Sequence, residues 1–307
     1  MHIYLPIAEL SANAYDLILL GGFAGLLSGL FGVGGGFILI PMLIFIGIPP
    51  AVAVATSTNM IVASSFSGFL SHFKHKRVDT EIGNYLIAGG MAGVLIGVWS
   101  FARLQKVGQI DLMINLLYIS LLTSISVLML REARQILRAR RAGDAQPHFT
   151  AVTLPRWILE LPWQVEFSRS QVTHSAWLIL SIGIFSGLLV GLLGIGGGFI
   201  MLPIMLYVLR MPVTVTVGTS LFQLIFITAA ATMLHALTTH AVDIVLAGLL
   251  LIGSVVGAQY GARLSHRIPN YLLRLLMASL LLIVAGRLAY GLFITPTDIF
   301  TLITVAP

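Results

Sequence analysis

The sequence predicts an all-α membrane protein made of two halves that repeat each other in inverted topology. Three observations carry this expectation: a composition too apolar for water, a thirteen-residue glycine motif that occurs twice, and basic residues gathered at the ends of apolar spans. Hydrophobic residues make up 58% of the 307 and charged residues only 9%, with a mean hydropathy of +1.00. A water-soluble domain of this size does not tolerate that balance, so lipid must be the solvent for most of the chain.

Charge-free runs extend over Leu17–Ser71, Ile82–Ala102, Leu112–Leu130, Ser170–Leu209, Met211–Val242 and Ile244–Ala262. Several are long enough to cross a hydrocarbon core of roughly 30 Å. The N-terminal residues carry no Lys or Arg before the first apolar run and no small-residue cleavage pattern, so the first helix is expected to be retained. Cysteine is absent, which excludes disulfides, thiolate metal sites and thiol chemistry. No metal or cofactor is expected. The basic balance does not point to nucleic acid, because Lys and Arg sit where they orient membrane spans.

The duplication is the most specific signal. Gly29–Pro41 reads GLFGVGGGFILIP and Gly191–Pro203 reads GLLGIGGGFIMLP, identical at nine of thirteen positions. The match continues with Pro49 and Pro212, Ala55-Thr56-Ser57 and Gly218-Thr219-Ser220, His72 and His235, and Asp79 and Asp243. Gly89, Gly93 and Gly97 then answer Gly253, Gly257 and Gly261. Repeats occupy residues 1–133 and 173–307, joined by an Arg-rich linker, 134–172, expected to be cytoplasmic and partly interfacial through Trp157, Trp163 and Phe167.

Each repeat opens on an apolar stretch that must break. Leu17–Ile48 as one helix would be about 48 Å long, too long for a single span. Four glycines within Gly32–Gly36 lower helix propensity by about 1 kcal/mol each, so the break belongs there. A re-entrant hairpin or pair of short helices is expected in each half, followed by three full helices near 52–72, 83–102 and 111–130, matched by 214–234, 243–262 and 270–292. An odd net number of crossings per half inverts the halves. With the linker inside, 14 of the 17 Lys and Arg fall on the cytoplasmic side, leaving Arg103, Lys106 and Arg287 outside.

The candidate binding residues lie at the breaks and in the polar patches after them. Non-helical backbone at membrane depth survives where it is buried or lines a wet cavity, and a restarted helix offers free N–H groups to an anion. This makes Gly32, Gly34, Gly35 and Gly36, with Gly194, Gly196, Gly197 and Gly198, candidates for substrate binding. Glycines can instead serve only close helix packing, and the every-fourth-residue ladders at Gly89/Gly93/Gly97 and Gly253/Gly257/Gly261 read that way. Thr56, Ser57 and Asn59, with Thr219, Ser220 and Gln223, offer hydrogen-bond donors to oxyanion oxygens; the competing reading is helix–helix bonding. No Asp or Glu occurs between Leu17 and Val78 or between Phe167 and Val242, so nothing repels an anion and nothing holds a cation. His72 and His235, near helix ends, are candidates for gating, against the plainer reading of histidines at headgroup level. Asp79 and Asp243 read as helix N-terminal carboxylates.

The doubled G-hydrophobic-GGG-F-hydrophobic-P motif followed by A/G-T-S resembles the TauE/SafE family, the sulfite exporter or toluene sulfonate uptake permeases. The resemblance covers nearly the whole chain except the linker. It implies a helical bundle of about eight to ten membrane elements that moves sulfite, sulfoacetate, other sulfonates or related anions. Alternatives are an anion channel of the same fold and a carrier of small organic carboxylates. An enzyme is not expected: Ser57 and His72, like Ser220 and His235, lie about four turns apart on one helix. The expected partners are a small anion and the bilayer of the cell membrane, the inner one in a Gram-negative bacterium; a homodimer is left open.

Overall fold

The computed structural model describes residues 2–31, 35–141, 162–167, 169–196, 198–265 and 270–293. In chain order, a hairpin of β1 (His2–Leu5) and β2 (Leu10–Asn13) precedes α1 (Ala14–Phe31), α2 (Gly36–Phe45), α3 (Pro50–Lys74), α4 (Thr80–Val107) and α5 (Ile110–Arg141). A second hairpin of β3 (Gln164–Phe167) and β4 (Val172–Ser175) precedes α6 (Ala176–Leu193), α7 (Gly198–Pro203), α8 (Val213–Thr238), α9 (Ile244–Ser265) and α10 (Asn270–Phe293). Helix α7 continues through Ile204–Val208 as a π-helical turn. The fold is therefore helical, with two small antiparallel hairpins that the all-α expectation did not include. The second hairpin lies in the stretch read as interfacial linker and the start of the next repeat; residues 142–161, which include Trp157, fall outside the described residues.

Six helices of the described residues are long and apolar enough to cross a membrane: Thr80–Val107, Ile110–Arg131, Ala176–Leu193, Val215–Thr238, Ile244–Gly261 and Leu275–Leu292. Helix α3 is 25 residues long, with Thr56–Asn59 within its apolar sequence. Large apolar side chains such as Leu19, Trp99, Met233 and Ile283 are exposed on the outside, where a bilayer would cover them. The apolar run expected to break does so at the expected place, with α1 ending at Phe31 and α2 starting at Gly36.

Packing repeats the duplication. A Cβ added at Gly253, Gly257 or Gly261 on α9 would collide with the carbonyl oxygens of Ile18, Gly22 and Leu26 on α1. A Cβ at Gly89, Gly93 or Gly97 on α4 would collide with those of Leu180, Ile184 and Leu188 on α6. Both ladders thus act as close-packing seams, each joining the fourth helix of one half to the first of the other, and the matched numbers rise together, so the paired helices run parallel. Helices α3 and α8 run antiparallel: the Thr58 and Thr232 hydroxyls meet at 2.8 Å, while the Phe69 and Phe222 rings meet at a tilt, 5.5 Å between centroids.

Candidate substrate-binding region

The two glycine breaks meet. A Cβ at Gly36 would stand 3.0 Å from the Gly194 carbonyl oxygen and 3.3 Å from that of Ile195, so backbone of one break touches backbone of the other. Gly35 faces the Ala24 carbonyl and the Met60 methyl at 2.8 and 3.1 Å, and Gly196 faces Ile61 at 2.9 Å. Gly194 caps α6 at φ +62, its N–H donating to the Val190 carbonyl at 2.9 Å, in a left-handed conformation that glycine adopts without Cβ strain. Gly198 begins α7. Gly32, Gly34 and Gly197 lie outside the described residues.

The polar patches divide into three kinds. Ser57 and Ser220 donate to carbonyls of their own helices, Ala53 at 2.6 Å and Val217 at 2.9 Å, the usual satisfaction of a lone serine in an apolar helix. Thr56 and Thr219 tie the halves together. The Asp79 N–H donates to Thr219 Oγ1 at 2.9 Å, and the Asp243 N–H donates to Thr56 Oγ1 at 3.0 Å. Each Asp carboxylate, buried, caps its own helix by accepting from Glu81 and Ile82 or from Val245 and Leu246. The hairpins complete the pattern: Ser170 Oγ donates to Asp79 Oδ2, and the Ile7 N–H donates to Asp243 Oδ2 at 3.1 Å. The N-terminal reading of both aspartates holds, and a cross-half tie is added to it.

The third kind is unsatisfied. Gln223 on α8 is wholly buried, and neither Nε2 nor Oε1 has a hydrogen-bond partner. Leaving both ends of a buried amide unpaired costs on the order of 1–3 kcal/mol for each group. Ser186 on α6 is in the same state. The repeat register gives this meaning: Gln223 and Ser186 are the counterparts of Met60 and Ala24, the residues that close on Gly35. Sequence reading passed over Ser186 because a single serine in an apolar helix carries no signal until it is set in register with Ala24. Asn59, on α3, is half-buried.

The two histidines differ. His235 is fully buried, its Nε2 at 2.9 Å from the Gly191 carbonyl and its ring edge-on to Phe101 at 4.7 Å, so it bonds α8 to α6. His72 is half-buried, with Nδ1 shielded and unpartnered. Among the described residues no group of three or more His, Cys, Asp or Glu is placed to hold a metal ion.

The family model described as sulfite exporter TauE/SafE matches residues 17–288, most of the chain. The chain belongs to the sulfite exporter TauE/SafE family. This TauE/SafE protein is 30% identical over 271 residues to the probable membrane transporter protein YjnA of Bacillus subtilis (strain 168), covering 87% of this chain and 96% of that one. It is 26% identical to the probable membrane transporter protein YunE of the same organism, over 90% of this chain and 98% of the other. Sulfite exporter TauE/SafE family protein 3 of Arabidopsis thaliana matches at 33% over 98 residues, 32% of this chain and 21% of its own length. No solved structure matches the chain. The protein is thus a multi-pass membrane transporter of the TauE/SafE family, and its relatives are named as transporters.

Proposed function

We propose that this TauE/SafE protein carries small anions, sulfur oxyanions or organosulfonates such as sulfite and sulfoacetate, across the cell membrane through a site at the second glycine break. The observation that carries the reading is Gln223, a buried amide with both ends unpaired, set by the repeat register beside Ser186 and the break. An oxyanion would use the Gln223 Nε2 and Ser186 donors. The carboxylate that the fold brings to this patch, Asp79 at Thr219, is already taken up by donors from Glu81, Ile82 and Ser170. The start of α2 adds positive helix-end potential from the adjoining break. In the names of the Arabidopsis relatives the transported anion is sulfite.

We further read the halves as inverted in the bilayer. Helices α3 and α8 are repeat counterparts, and their antiparallel course supports an axis lying in the membrane plane. In the present conformation Gln223 is closed off on every side. Transport then requires the halves to part alternately around it, which favours a saturable carrier over an open pore.

The test is flux and binding in proteoliposomes with sulfite, thiosulfate, sulfoacetate, taurine and aliphatic carboxylates. Gln223→Met, the residue the first half carries, should raise the Kd of the transported anion roughly tenfold or more by removing hydrogen bonds to a charged ligand. Gln223→Glu should raise it further, since a carboxylate at ~4 Å repels an anion by about 1–4 kcal/mol. Parent-like binding of the sulfur anion by Gln223→Glu, at a pH where the new carboxylate is ionised, would sink the reading. A preference for aliphatic carboxylates would replace the substrate class while keeping the site.

A further inference from the structure

A cavity lies away from the glycine breaks, between the C-terminal end of α2, the first turns of α5 and the last turns of α10. Its volume is about 210 Å³, and Ile44, Phe45, Asn115, Arg287, Leu288 and Leu292 line it. That is room for a small polar group, roughly seven waters at liquid density, and less than a drug-sized pocket. Two features give it chemistry. The Arg287 guanidinium sits over the Phe45 and Tyr290 rings, at 5.5 and 5.7 Å, so it is held at the mouth by two aromatic faces. Among the described residues no carboxylate forms a salt bridge with it. Asn115 Oδ1 is buried without a donor.

A ligand that satisfies both must carry an anionic oxygen for Arg287 and a hydroxyl or ammonium N–H for Asn115. The apolar lining and the exposed Phe45, Tyr290 and Leu292 around the mouth show that it arrives from the lipid side. The position near helix ends, with an Arg and a Tyr at the rim, is that of the headgroup layer. Helix α5 has no basic residue before Arg131, so the first half holds no counterpart of Arg287 at this level and the site lies outside the duplicated transport path.

We infer that this cavity binds the headgroup of a phospholipid whose phosphodiester pairs with Arg287 and whose terminal hydroxyl or ammonium donates to Asn115 Oδ1, as in phosphatidylglycerol or phosphatidylethanolamine. Such a lipid clamps the end of α2, the helix that leaves the first glycine break, against α5 and α10. Occupancy therefore bears on the stability of the break as well as on the rim.

The test is native mass spectrometry of the full chain released from detergent with phosphatidylglycerol, phosphatidylethanolamine or phosphatidylcholine, whose headgroup has phosphate but no donor. The parent should retain the first two severalfold better than the third. Arg287→Gln should lower retention of all three roughly tenfold, as expected for losing a hydrogen bond to a charged group, and Arg287→Lys should restore part of it. Asn115→Leu should erase the preference over phosphatidylcholine while leaving phosphate-dependent retention. Thermal midpoints of each variant show that the fold survives. Equal retention of phosphatidylcholine by the parent, or unchanged retention by Arg287→Gln, would overturn the inference. Displacement of the lipid by glycerol 3-phosphate at comparable concentration would also overturn it, by showing a site for a free anion.

Discussion

Replacing Thr219 by Val removes one hydroxyl and keeps the branched shape, so it isolates the tie between the halves. In the parent, Thr219 Oγ1 accepts the Asp79 N–H at a position where Asp79 is almost fully buried. The Asp79 carboxylate cannot take over, because it is occupied by Glu81, Ile82 and Ser170. The N–H is left without an acceptor, which costs about 1–3 kcal/mol. A chain of this size should lose roughly 2–10 °C of thermal midpoint in detergent. Thr219→Ser, which keeps the acceptor, should recover most of the loss. Thr56→Val repeats the experiment at Asp243, where Thr56 accepts at 3.0 Å. Because Thr58 meets Thr232 and thirteen residues separate Thr232 from Thr219, the two ties lie about 20 Å apart along the bundle. Their costs should add within about 0.5 kcal/mol in the double variant. Thermal unfolding followed by tryptophan fluorescence measures all four. If Thr219→Val unfolds at the same temperature as Thr219→Ser, the hydroxyl is not holding the halves and the argument fails.

Two further expectations come from the packing and the repeat. Gly93→Ala, whose methyl would strike the Ile184 carbonyl, should destabilise by about 1–3 kcal/mol or prevent assembly, whereas Gly248→Ala, with nothing within 4 Å of its Cβ, should be neutral or slightly stabilising; thermal midpoints decide. Lys74 and Leu237 are register counterparts at the ends of α3 and α8 and both are exposed, so single cysteines placed there in this cysteine-free chain should react with an impermeant thiol reagent from opposite sides of the membrane, and labelling of both from one side would refute inversion.

The break and the seams were legible because glycine leaves a strong local mark: four in five residues end a helix, and a spacing of four makes a groove. The hairpins were not legible. HIYL and QVEF share no identical residue, nor do LSAN and VTHS, so identity could not reveal them as counterparts. What they share is backbone: Glu9 and Gln171, in their turns, both sit at φ near +50. The ties were half legible. Thr56, Thr219, Asp79 and Asp243 all stood out as repeated polar residues, yet their bonds join positions 187 and 140 apart in the chain, which no local pattern encodes. His235 was marked by repetition too, but only packing shows that its ring serves the Gly191 carbonyl.

The duplication is faithful in its frame and unfaithful at its centre, and that difference bears on mechanism. The seams, the ties and the capping aspartates all occur twice with matched partners. At the breaks the match stops: the Ala24 carbonyl and the Met60 methyl close on Gly35 in the first half, while Ser186 and Gln223, their counterparts in the repeat register, carry unpaired polar atoms in the second. A symmetric frame allows the molecule to open toward either side at similar cost, since each opening separates equivalent contacts. Two equivalent polar sites would demand two ions or leave one site empty and desolvated. A carrier of the kind proposed would combine the two: one polar position, at Gln223 and Ser186, to bind a single anion, within a frame whose contacts occur in equivalent pairs.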